Sequence, residues 1–389
     1  MMKLGSLFDG SGGFPLGGII AGMTPVWSSE IEPFPIRVTE KRLPSVRHYG
    51  DVSKISGVDL EPVDIITFGS PCQDMSVAGK RAGLDGARSG LFFQAVRIIK
   101  EMRAKYGKPR YAVWENVRGA LSSAGGEDFR RVLEELCRIK DGAANVPRPP
   151  KGKWQSAGRV MGDGYSIAWR VLDAQYWGVP QRRKRVYLVA DLDGDSAGKV
   201  LFDSEGVSGH SEKMRAARKD FARTAQNGVG ETVGVLNDQG GSAISIEDNL
   251  SPTLRAETHQ HLPIVYLMSK SYHFAHATNY KCPPVVNADW RVRMITPLEC
   301  ARLQGFPDWW TDGLTDSEPS DAEVRKWQGI FDEYCDINGK KRKTASQVRK
   351  WLMTEPTDAA KYKMWGNGVA LPCVVFVLAG IVWAAGEDL

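Results

Sequence analysis

Apolar segments rich in β-branched residues alternate with helix-like segments over the first 120 residues of the chain. The helix-like segments have the length and apolar spacing of amphipathic helices. This alternation predicts β-α units on a parallel sheet, in a doubly wound α/β fold that binds ligands at the carboxyl edge of its strands. The predicted strands are KLGSLFD, TPVWSSE, VDIITFGS and RYAVWENV, and the predicted helices are GFPLGGIIAG, PFPIRVTEKRL and SGLFFQAVRIIKEMRAKYG.

The middle of the chain changes character twice. Residues 141–164 are rich in Gly and Pro and are predicted to form a loop, and residues 165–192 then contain two apolar segments around a basic turn. From 192 to about 290 the composition shifts to Gly, Ser, Asn, Asp and His without a clear amphipathic helix. We therefore predict a catalytic domain over 1–191 and a second, irregular domain over 192–310.

Helical patterns return in the last third of the chain. RMITPLECARLQGFPDWW (293–310) predicts a capped helix, and residues 311–361 run from acidic to basic as a predicted helical insertion. The apolar run at 370–385 is shorter than the roughly 20 residues that span a membrane, so we predict a buried helix. Residues 362–389 are predicted to complete the first domain.

Composition narrows the class of protein. With 389 residues and 42% hydrophobic content the chain can bury a sizeable core, and its formal charge of +5 hints at a polyanionic partner. The six cysteines form no CxxC pair, and the N-terminus lacks the features of a signal peptide. These observations predict a cytoplasmic protein that does not bind a membrane.

A glycine-rich turn and an acidic residue follow the first two predicted strands. FDGSGGF (8–14) precedes a helix, where backbone amides can face a ligand, but Pro15 stands where the dinucleotide fingerprint needs its third glycine. Glu30 ends the second strand, eighteen residues after Gly12, and can accept hydrogen bonds from ribose hydroxyls. A nucleoside-bearing cofactor fits this pattern, although a purely structural turn has the same sequence features.

Three further strand ends carry reactive or charged side chains. Cys72 follows VDIITFG, with Pro71 before it and a Gly-, Ser- and Lys/Arg-rich stretch after it, which favours an exposed nucleophile near an anionic substrate. Glu115 in WENV ends the next strand, where an unpaired acid would be costly. Gln181, Arg183 and Arg185 alternate into the last strand and are predicted to share one face that recognises carbonyl or phosphate oxygens.

The ordered motifs of the chain resemble those of the cytosine-C5 DNA methyltransferases. The resemblance covers essentially the whole chain outside 192–290 and 311–361, and the order of so many segments makes it specific. It implies a Rossmann-like, S-adenosylmethionine-dependent methyltransferase sheet with a smaller target-recognition domain. The matching segments are FDGSGGF, VWSSEIEP, YGDVSKI, DIITFGSPCQDMS, AVWENV, QYWGVPQRRKR, RMITPLECARLQGFPD and MWGNGVALP.

The resemblance assigns catalytic roles to four residues. Cys72 would add to C6 of a flipped-out cytosine, Glu115 would hold or protonate N3, and Arg185 would bind O2. Arg183 is the fourth residue expected to be catalytic. The cofactor would be S-adenosylmethionine, which leaves as S-adenosylhomocysteine. Its implied pocket consists of Phe8, Gly10, Gly12, Gly13, Glu30, Ile31, Asp51, Val52, Pro71, Leu91 and Asn367.

The resemblance also implies double-stranded DNA as the partner. The stretch 192–290 corresponds to the family's target-recognition region, and SPTLRA resembles its Thr-Leu signature. One chain suffices for one cofactor and one flipped base, so we expect a monomer, with a cognate restriction endonuclease as a possible companion. The residues expected to contact DNA are Gln73, Ser76, Lys80, Arg81, Arg88, Gln181, Thr253, Leu254 and Arg255.

Three alternatives stay open at this stage. A branch of the family methylates transfer RNA, but it tends to carry Pro-Pro-Cys and a short recognition region, whereas this chain has Ser70-Pro71-Cys72 and a long variable stretch. A DNA-binding regulator without turnover would not need the catalytic residues. A nicotinamide-dependent oxidoreductase is disfavoured by Pro15. No metal is predicted, since HFAHATNYKC (273–282) lacks a fourth ligand at standard spacing.

Overall fold

A mixed eight-stranded sheet forms the centre of the protein. The computed structural model describes residues 1–70, 90–203, 233–237, 245–248, 254, 264–267 and 291–387. The strand order is β3-β2-β1-β4-β5-β8-β7-β6. The bounds of these strands are β1 Lys3–Leu7, β2 Thr24–Ser29, β3 Arg47–Tyr49, β4 Ile65–Phe68, β5 Tyr111–Val117, β6 Ala157–Gly162, β7 Tyr165–Asp173 and β8 Lys184–Asp191.

The sheet has a parallel half and an antiparallel half. Strands β3, β2, β1, β4 and β5 pair in parallel, whereas β8 is antiparallel to β5 and β7 is antiparallel to both β8 and β6. The chain runs from β1 outward to β3 and then returns to β4 on the other side of β1. This reversal creates a switch point between β1 and β4, and ligands of such sheets bind at the carboxyl ends of the strands there.

Helices cover both faces of this sheet, as the alternating pattern predicts. One hydrophobic core lies between the sheet and α3 and α4, and the other lies between the sheet and α1, α5 and α10. The doubly wound α/β fold predicted from the sequence is confirmed. The helices described are α1 Gly13–Ile20, α2 Pro33–Arg42, α3 Gly90–Tyr106, α4 Glu127–Cys137, α5 Ala197–Phe202, α6 Pro297–Gln304, α7 Asp321–Ile337, α8 Ala345–Met353, α9 Asp358–Asn367 and α10 Leu371–Glu387.

The C-terminal third packs beside the glycine-rich turn. A capping box between Thr296 and Glu299 starts α6, which confirms the capped helix predicted in 293–310. α6 and α9 enclose a third hydrophobic core with α2, and its largest buried side chains include Phe306, Trp310 and Trp365. The last helix, α10, is buried against the sheet as predicted. The stretch Asp358–Gly386 is long and apolar enough to cross a membrane. However, 78% of its most apolar part is buried inside the protein.

The helices α7 and α8 pack on the outer side of α2. Ile36 of α2 contacts a small apolar cluster with Trp327 and Phe331 of α7 and Leu352 of α8. Arg37 is buried at this interface, where its guanidinium donates to the carbonyl oxygens of Leu314, Trp351 and Leu352. Glu333 of α7 also lies against Gly50, directly after the edge strand β3.

Strand β6 corrects one prediction, because it lies in the stretch 141–164 that the sequence predicts to be a loop. Its sequence, AGRVMG, is rich in glycine because aromatic rings lie across it: a Cβ at Gly158 would be 2.3 Å from the Trp169 ring, and one at Gly162 would be 2.1 Å from the Tyr165 ring. Glycines on an edge strand covered by aromatic side chains hide the apolar alternation that marks other strands.

A smaller antiparallel sheet lies within residues 192–310. Its strands are β9 Val233–Asn237, β10 Ser245–Asp248, β11 Ile264–Leu267 and β12 Arg291–Met294, in the order β10-β9-β11-β12. The short helix α5 precedes this sheet and packs on β7 and α10 of the larger body. The boundary predicted at residue 192 stays a prediction, and the packing of α5 favours a boundary after residue 202.

Candidate active site

A carboxyl group and a guanidinium group meet at the carboxyl end of β5. The strand register places Glu115 opposite Tyr187 and Val117 opposite Arg185, so Glu115 and Arg185 are diagonal neighbours on one face of the sheet. Nε of Arg185 lies 3.3 Å from Oε1 of Glu115, and both side chains are largely buried. This contact has the distance of an ion pair but lacks the angles of an aligned hydrogen bond, since Oε1 has no hydrogen-bond partner among the described residues.

Burial decides the protonation of Glu115. It raises the pKa of the Glu115 carboxyl above its ordinary value, while Arg185 and then Arg183 lower it and offset part of the effect. A carboxyl in this position can keep a proton at a pH where an exposed glutamate has lost it. Glu115 can therefore donate a hydrogen bond or a proton to a ring nitrogen, and Arg185 can bind a carbonyl oxygen beside it.

The segment that leads to Cys72 is fixed beside this acid. Nδ2 of Asn116 donates to the carbonyl oxygen of Ser70 at 2.9 Å, and Nε1 of Trp114 lies 3.2 Å from the Ser70 hydroxyl. A Cβ built on Gly69 would lie 3.5 Å from Oε2 of Glu115. The chain thus passes Glu115 at Gly69 and Ser70, which stand three and two residues before Cys72. The sequence analysis did not identify these anchors, although Trp114 and Asn116 flank Glu115 in the WENV motif.

Several predicted residues lie outside the described part of the chain. They include the nucleophile, the loop expected to close over DNA and two residues of the Thr-Leu region, and their roles stay predictions. Leu254 is described and is 3% exposed, in the core formed with α6 and α9, so its side chain anchors the segment rather than facing solvent. The residues outside the described ranges are Pro71, Cys72, Gln73, Ser76, Lys80, Arg81, Arg88, Thr253 and Arg255.

The sequence predicts that Gln181, Arg183 and Arg185 share one open recognition face. Gln181 and Arg183 do not line such a face. β8 begins at Lys184, and both residues lie in the buried turn before it. The Arg183 guanidinium donates to backbone carbonyl oxygens, and burial followed by repulsion from Arg185 lowers its pKa. The side-chain amide of Gln181 is fully buried without a hydrogen-bond partner in the described ranges. Only Arg185 of the three contacts Glu115.

The glycine-rich turn after β1 has one open glycine and two enclosed ones. Gly10 has φ 54° and nothing within 4 Å of the place where a Cβ would be, whereas a Cβ at Gly12 would lie 2.9 Å from Thr39 and one at Gly13 would lie 2.3 Å from Val369. Phe8 also has positive φ, 57°, which is uncommon for a side chain of this size. Gly10 therefore leaves room for a ligand, while Gly12 and Gly13 allow close packing of the turn.

Glu30 ties the turn to the end of β2. Oε2 accepts from the Gly10 amide at 2.8 Å, and Oε1 accepts from the amides of Ile31 and Glu32 at 2.8 and 2.9 Å. Burial raises the pKa of Glu30 despite these three hydrogen bonds. A carboxylate oxygen accepts two hydrogen bonds, so Oε2 keeps a free lone pair for a ribose hydroxyl.

The other residues predicted for the cofactor lie around these two strand ends. Asp51 follows β3 and accepts from the Ser53 amide at 2.9 Å, Val52 is buried beside it, and Leu91 lies in the first turn of α3 at the edge of the core. Asn367 ends α9 and is exposed. Open space at Gly10, the Glu30 carboxylate and the Asp51 carboxylate together suit the ribose and adenine of S-adenosylmethionine.

Asp9 is a buried acid of this turn that the sequence analysis missed. The Ser6 hydroxyl donates to Oδ1 of Asp9 at 2.7 Å, and Oδ2 has no hydrogen-bond partner among the described residues. Burial, with a contribution from the Glu30 carboxylate, raises the pKa of Asp9 to about 7. The signal available in the sequence is an acid inside a glycine-rich turn between two buried elements.

Comparisons with known proteins identify the family of the chain. The family described as C-5 cytosine-specific DNA methylase matches residues 2–140 and 159–325. A relative from Escherichia phage P1 named DNA N-6-adenine-methyltransferase is 29% identical, over 92% of this chain and 58% of that protein. The Type II methyltransferase M2.BsuMI of Bacillus subtilis is 26% identical, over 84% of this chain and 70% of that protein.

The likeness to solved structures supports the fold. The Entamoeba histolytica methyltransferase EhMeth gives a TM-score of 0.55 at 13% identity, over 100% of this chain and 98% of that one. An identity this low shows the fold alone. The chain spans 58%, 34% and 34% of the length of three curated relatives, so a whole relative's activity does not pass to it directly.

Proposed function

Because the chain belongs to the C-5 cytosine-specific DNA methylase family, we propose that it methylates C5 of a cytosine in double-stranded DNA. The observation that carries this proposal is the buried pair of Glu115 and Arg185 beside Gly69 and Ser70, two residues before Cys72. An acid, a cation and a thiol are the groups that this chemistry needs. The methyl donor is S-adenosylmethionine, which supplies an electrophilic methyl group when bound.

Each reacting residue has one task in this proposal. The Cys72 thiolate adds to C6 of the base, Glu115 places a proton at N3, and Arg185 binds O2, so that the electron pair of the C5–C6 bond becomes available at C5. After C5 has gained the methyl group, a solvent water takes the C5 proton, and the C6–S bond breaks with its electron pair returning to sulfur, which releases 5-methylcytosine once N3 has lost its added proton. Cys72 and Arg185 return unchanged, and Glu115 regains its proton.

The target base leaves the stack for this reaction, because C6 is inaccessible within a duplex, at a cost of a few kcal/mol. We propose that the loop with Gln73, Ser76, Lys80, Arg81 and Arg88 closes over the DNA and that residues near Leu254 read base edges in the major groove. The protein would act as a monomer in the cytoplasm and at the nucleoid. Its role would be restriction-modification beside a cognate endonuclease, phage protection or orphan methylation.

The experiment that tests the function combines two measurements on the purified protein and on cells that express its gene. Labelled methyl groups should pass from S-adenosylmethionine to duplex DNA, and bisulfite sequencing should find protected cytosines in one short sequence context. Analysis of the product nucleosides should find 5-methylcytosine. Cys72→Ser should abolish transfer, and full activity in that variant would contradict the mechanism.

Other outcomes identify other functions. N6-methyladenine as the product would contradict cytosine chemistry and would match the name of the phage P1 relative. Transfer to transfer RNA, assayed in parallel, would change the substrate while keeping the chemistry. DNA binding without methyl transfer at saturating cofactor would indicate a binding protein, and binding of NAD(P)H without S-adenosylmethionine would indicate an oxidoreductase.

A further inference from the structure

Arg183 connects two segments that are far apart in the chain. Its Nη1 donates to the carbonyl oxygen of Leu254 at 3.4 Å, and its Nη2 donates to the carbonyl oxygens of Gly366, at 3.3 Å, and Gly368. The side chain is 2% exposed, and its acceptors lie 71, 183 and 185 residues further along the chain. One guanidinium thus holds three backbone carbonyls from two remote segments.

Both segments carry residues that the proposed function uses. Helix α9 ends within Gly366–Gly368, which we call the cofactor turn, and this stretch contains Asn367, which we propose to line the cofactor pocket. Leu254 stands between Thr253 and Arg255, which we propose to contact DNA, and we call these three residues the DNA-reading segment. The buried side chain of Leu254 packs in the core with Trp365. Two residues after Arg183, Arg185 contacts Glu115. Arg183 therefore lies where the DNA-reading segment, the cofactor turn and the reacting pair meet.

The chemistry of the guanidinium suits this connection. Its planar fork directs several N–H groups at fixed angles, so that it can bind carbonyls on two segments simultaneously, whereas a lysine ammonium is a compact charge with rotating donors. A buried carbonyl that loses its hydrogen-bond donor destabilises the folded state. A displacement of one segment therefore alters the hydrogen bonds that hold the other segment. The three hydrogen bonds form only when the segment at Leu254 and the turn at Gly366–Gly368 keep one relative position.

We propose that Arg183 is a positioning residue that couples the DNA-reading segment to the cofactor turn, so that DNA and cofactor bind cooperatively. This inference rests on the proposed function, since it assumes that the two segments meet DNA and cofactor. It replaces the direct catalytic role that the resemblance implies for Arg183. The guanidinium acts through Leu254 and the turn at Gly366–Gly368, without contact with the reacting base.

A matched control exists in Arg37. Arg37 is also a buried arginine, 5% exposed, and it also donates only to backbone carbonyls, at Leu314, Trp351 and Leu352, in the region of α7 and α8. Arg37→Lys removes a buried guanidinium that binds backbone carbonyls, as Arg183→Lys does. The carbonyls that Arg37 binds belong to the region of α7 and α8, not to the cofactor turn. Arg183→Lys and Arg37→Lys thus separate positioning from general loss of stability.

The experiment measures the Kd of S-adenosylhomocysteine by calorimetry, with and without a duplex that contains the methylated sequence found by bisulfite sequencing. In the wild type, DNA should strengthen binding at least about 5-fold, the lower range of measured couplings. Arg183→Lys should weaken binding of S-adenosylhomocysteine alone about 5-fold or more, and should bring the ratio with and without DNA close to 1. Arg37→Lys should keep the wild-type ratio at a comparable loss of Tm.

Each contrary result has one meaning. A wild-type ratio in Arg183→Lys, or the same loss of ratio in Arg37→Lys at equal Tm, overturns the positioning role. Wild-type protein that methylates DNA and shows no cooperativity overturns it as well, while the proposed function stands. Wild-type protein that methylates no DNA contradicts the proposed function instead. If Arg183→Lys gives no soluble protein, Leu254→Ala keeps the guanidinium but removes the anchor, and it must also lose the ratio.

Discussion

Nδ2 of Asn116 donates a hydrogen bond to the carbonyl oxygen of Ser70 at 2.9 Å. Asn116 directly follows Glu115, and Ser70 stands two residues before Cys72, so this bond joins the strand of Glu115 to the segment that leads to the proposed nucleophile. Oδ1 of the same amide accepts from the Val117 amide at 2.8 Å, which fixes the rotamer of Asn116. This hydrogen bond therefore fixes the position of Ser70 relative to the strand that carries Glu115.

Asn116→Ala should lower kcat for methyl transfer more than tenfold and leave the KM for S-adenosylmethionine nearly unchanged. The Ser70 carbonyl would lose a buried donor, which also costs about 1–3 kcal/mol of the free energy of unfolding. Single-turnover kinetics and urea unfolding measure the two effects. Trp114→Phe is the control, because it removes the 3.2 Å contact to the Ser70 hydroxyl but keeps an aromatic ring beside Phe129, and it should reduce kcat less. Equal kcat in Asn116→Ala and the wild type would contradict the role of this bond.

Glu115→Gln should fold and bind S-adenosylhomocysteine like the wild type but lose about 10²–10⁴-fold in kcat, because an amide cannot supply the proton at N3. The pH dependence carries a second test. The pKa of Glu115 is raised by burial, so the protonated form persists at low pH and is lost as pH rises through that value. Wild-type kcat should fall on this alkaline side.

The stability of the two proteins should diverge in the same pH range. A carboxyl with a raised pKa in the folded state costs stability when pH rises and it must ionise, and glutamine has no such cost. The free energy of unfolding of Glu115→Gln relative to the wild type should therefore increase with pH. A difference that stays constant from pH 5 to pH 9 would show that Glu115 is already ionised at the acidic end.

Gly13→Ala should destabilise the protein by about 1–3 kcal/mol, the cost of overpacking a core. The new Cβ would lie 2.3 Å from Cγ2 of Val369, where the C-terminal segment crosses the start of α1. Val369→Ala removes that atom, so the double variant should recover part of the loss in urea unfolding. Gly10→Ala is the comparison, since its Cβ would meet nothing within 4 Å, although the positive φ adds strain. An additive double variant would contradict the proposed contact.

The sequence predicts most of the parallel half of the sheet, because its strands are buried on both faces and stand out as short apolar runs. β4, with the sequence IITF, is fully buried and was predicted with its neighbours. β6 was missed because glycines under Trp169 and Tyr165 replace the apolar alternation. β3 has only three residues, too few for a pattern. Local sequence therefore predicts an element where burial is continuous and fails where partners far along the chain supply the packing.

In the candidate site, too, some residues could be predicted from local sequence and others could not. Glu115 and Arg185 stand at strand ends in recognisable motifs, and strand register alone brings them together. The roles of Arg183, Gly12 and Gly13 depend on contacts with Gly368, Thr39 and Val369, and no local pattern contains these. A glycine in a turn can face a ligand or a packed side chain, and the sequence does not distinguish the two. Tertiary packing decides whether such a glycine faces a ligand or a side chain.

Asp9→Asn should make stability less dependent on pH near neutrality. Burial raises the pKa of Asp9 from its ordinary 3.8 to about 7, and the neighbouring Glu30 carboxylate adds to the increase. The folded protein therefore keeps a proton on Asp9 that the unfolded chain has lost, and this stability is fully present below about pH 4 and is lost as pH rises through about 7. Between pH 5 and pH 8 the wild type should lose about 2–3 kcal/mol that Asp9→Asn does not lose.

Urea unfolding at pH 5, 6, 7 and 8 measures this difference, and Ser6→Ala is the matched control. The Ser6 hydroxyl donates to Oδ1 at 2.7 Å and lowers the pKa of Asp9, so its removal should move the loss of stability to higher pH while keeping its sign. Oδ2 has no hydrogen-bond partner among the described residues, so asparagine adds no lost contact at that atom. Parallel curves for the wild type and Asp9→Asn would show that Asp9 is ionised throughout, with its charge stabilised at the start of α1.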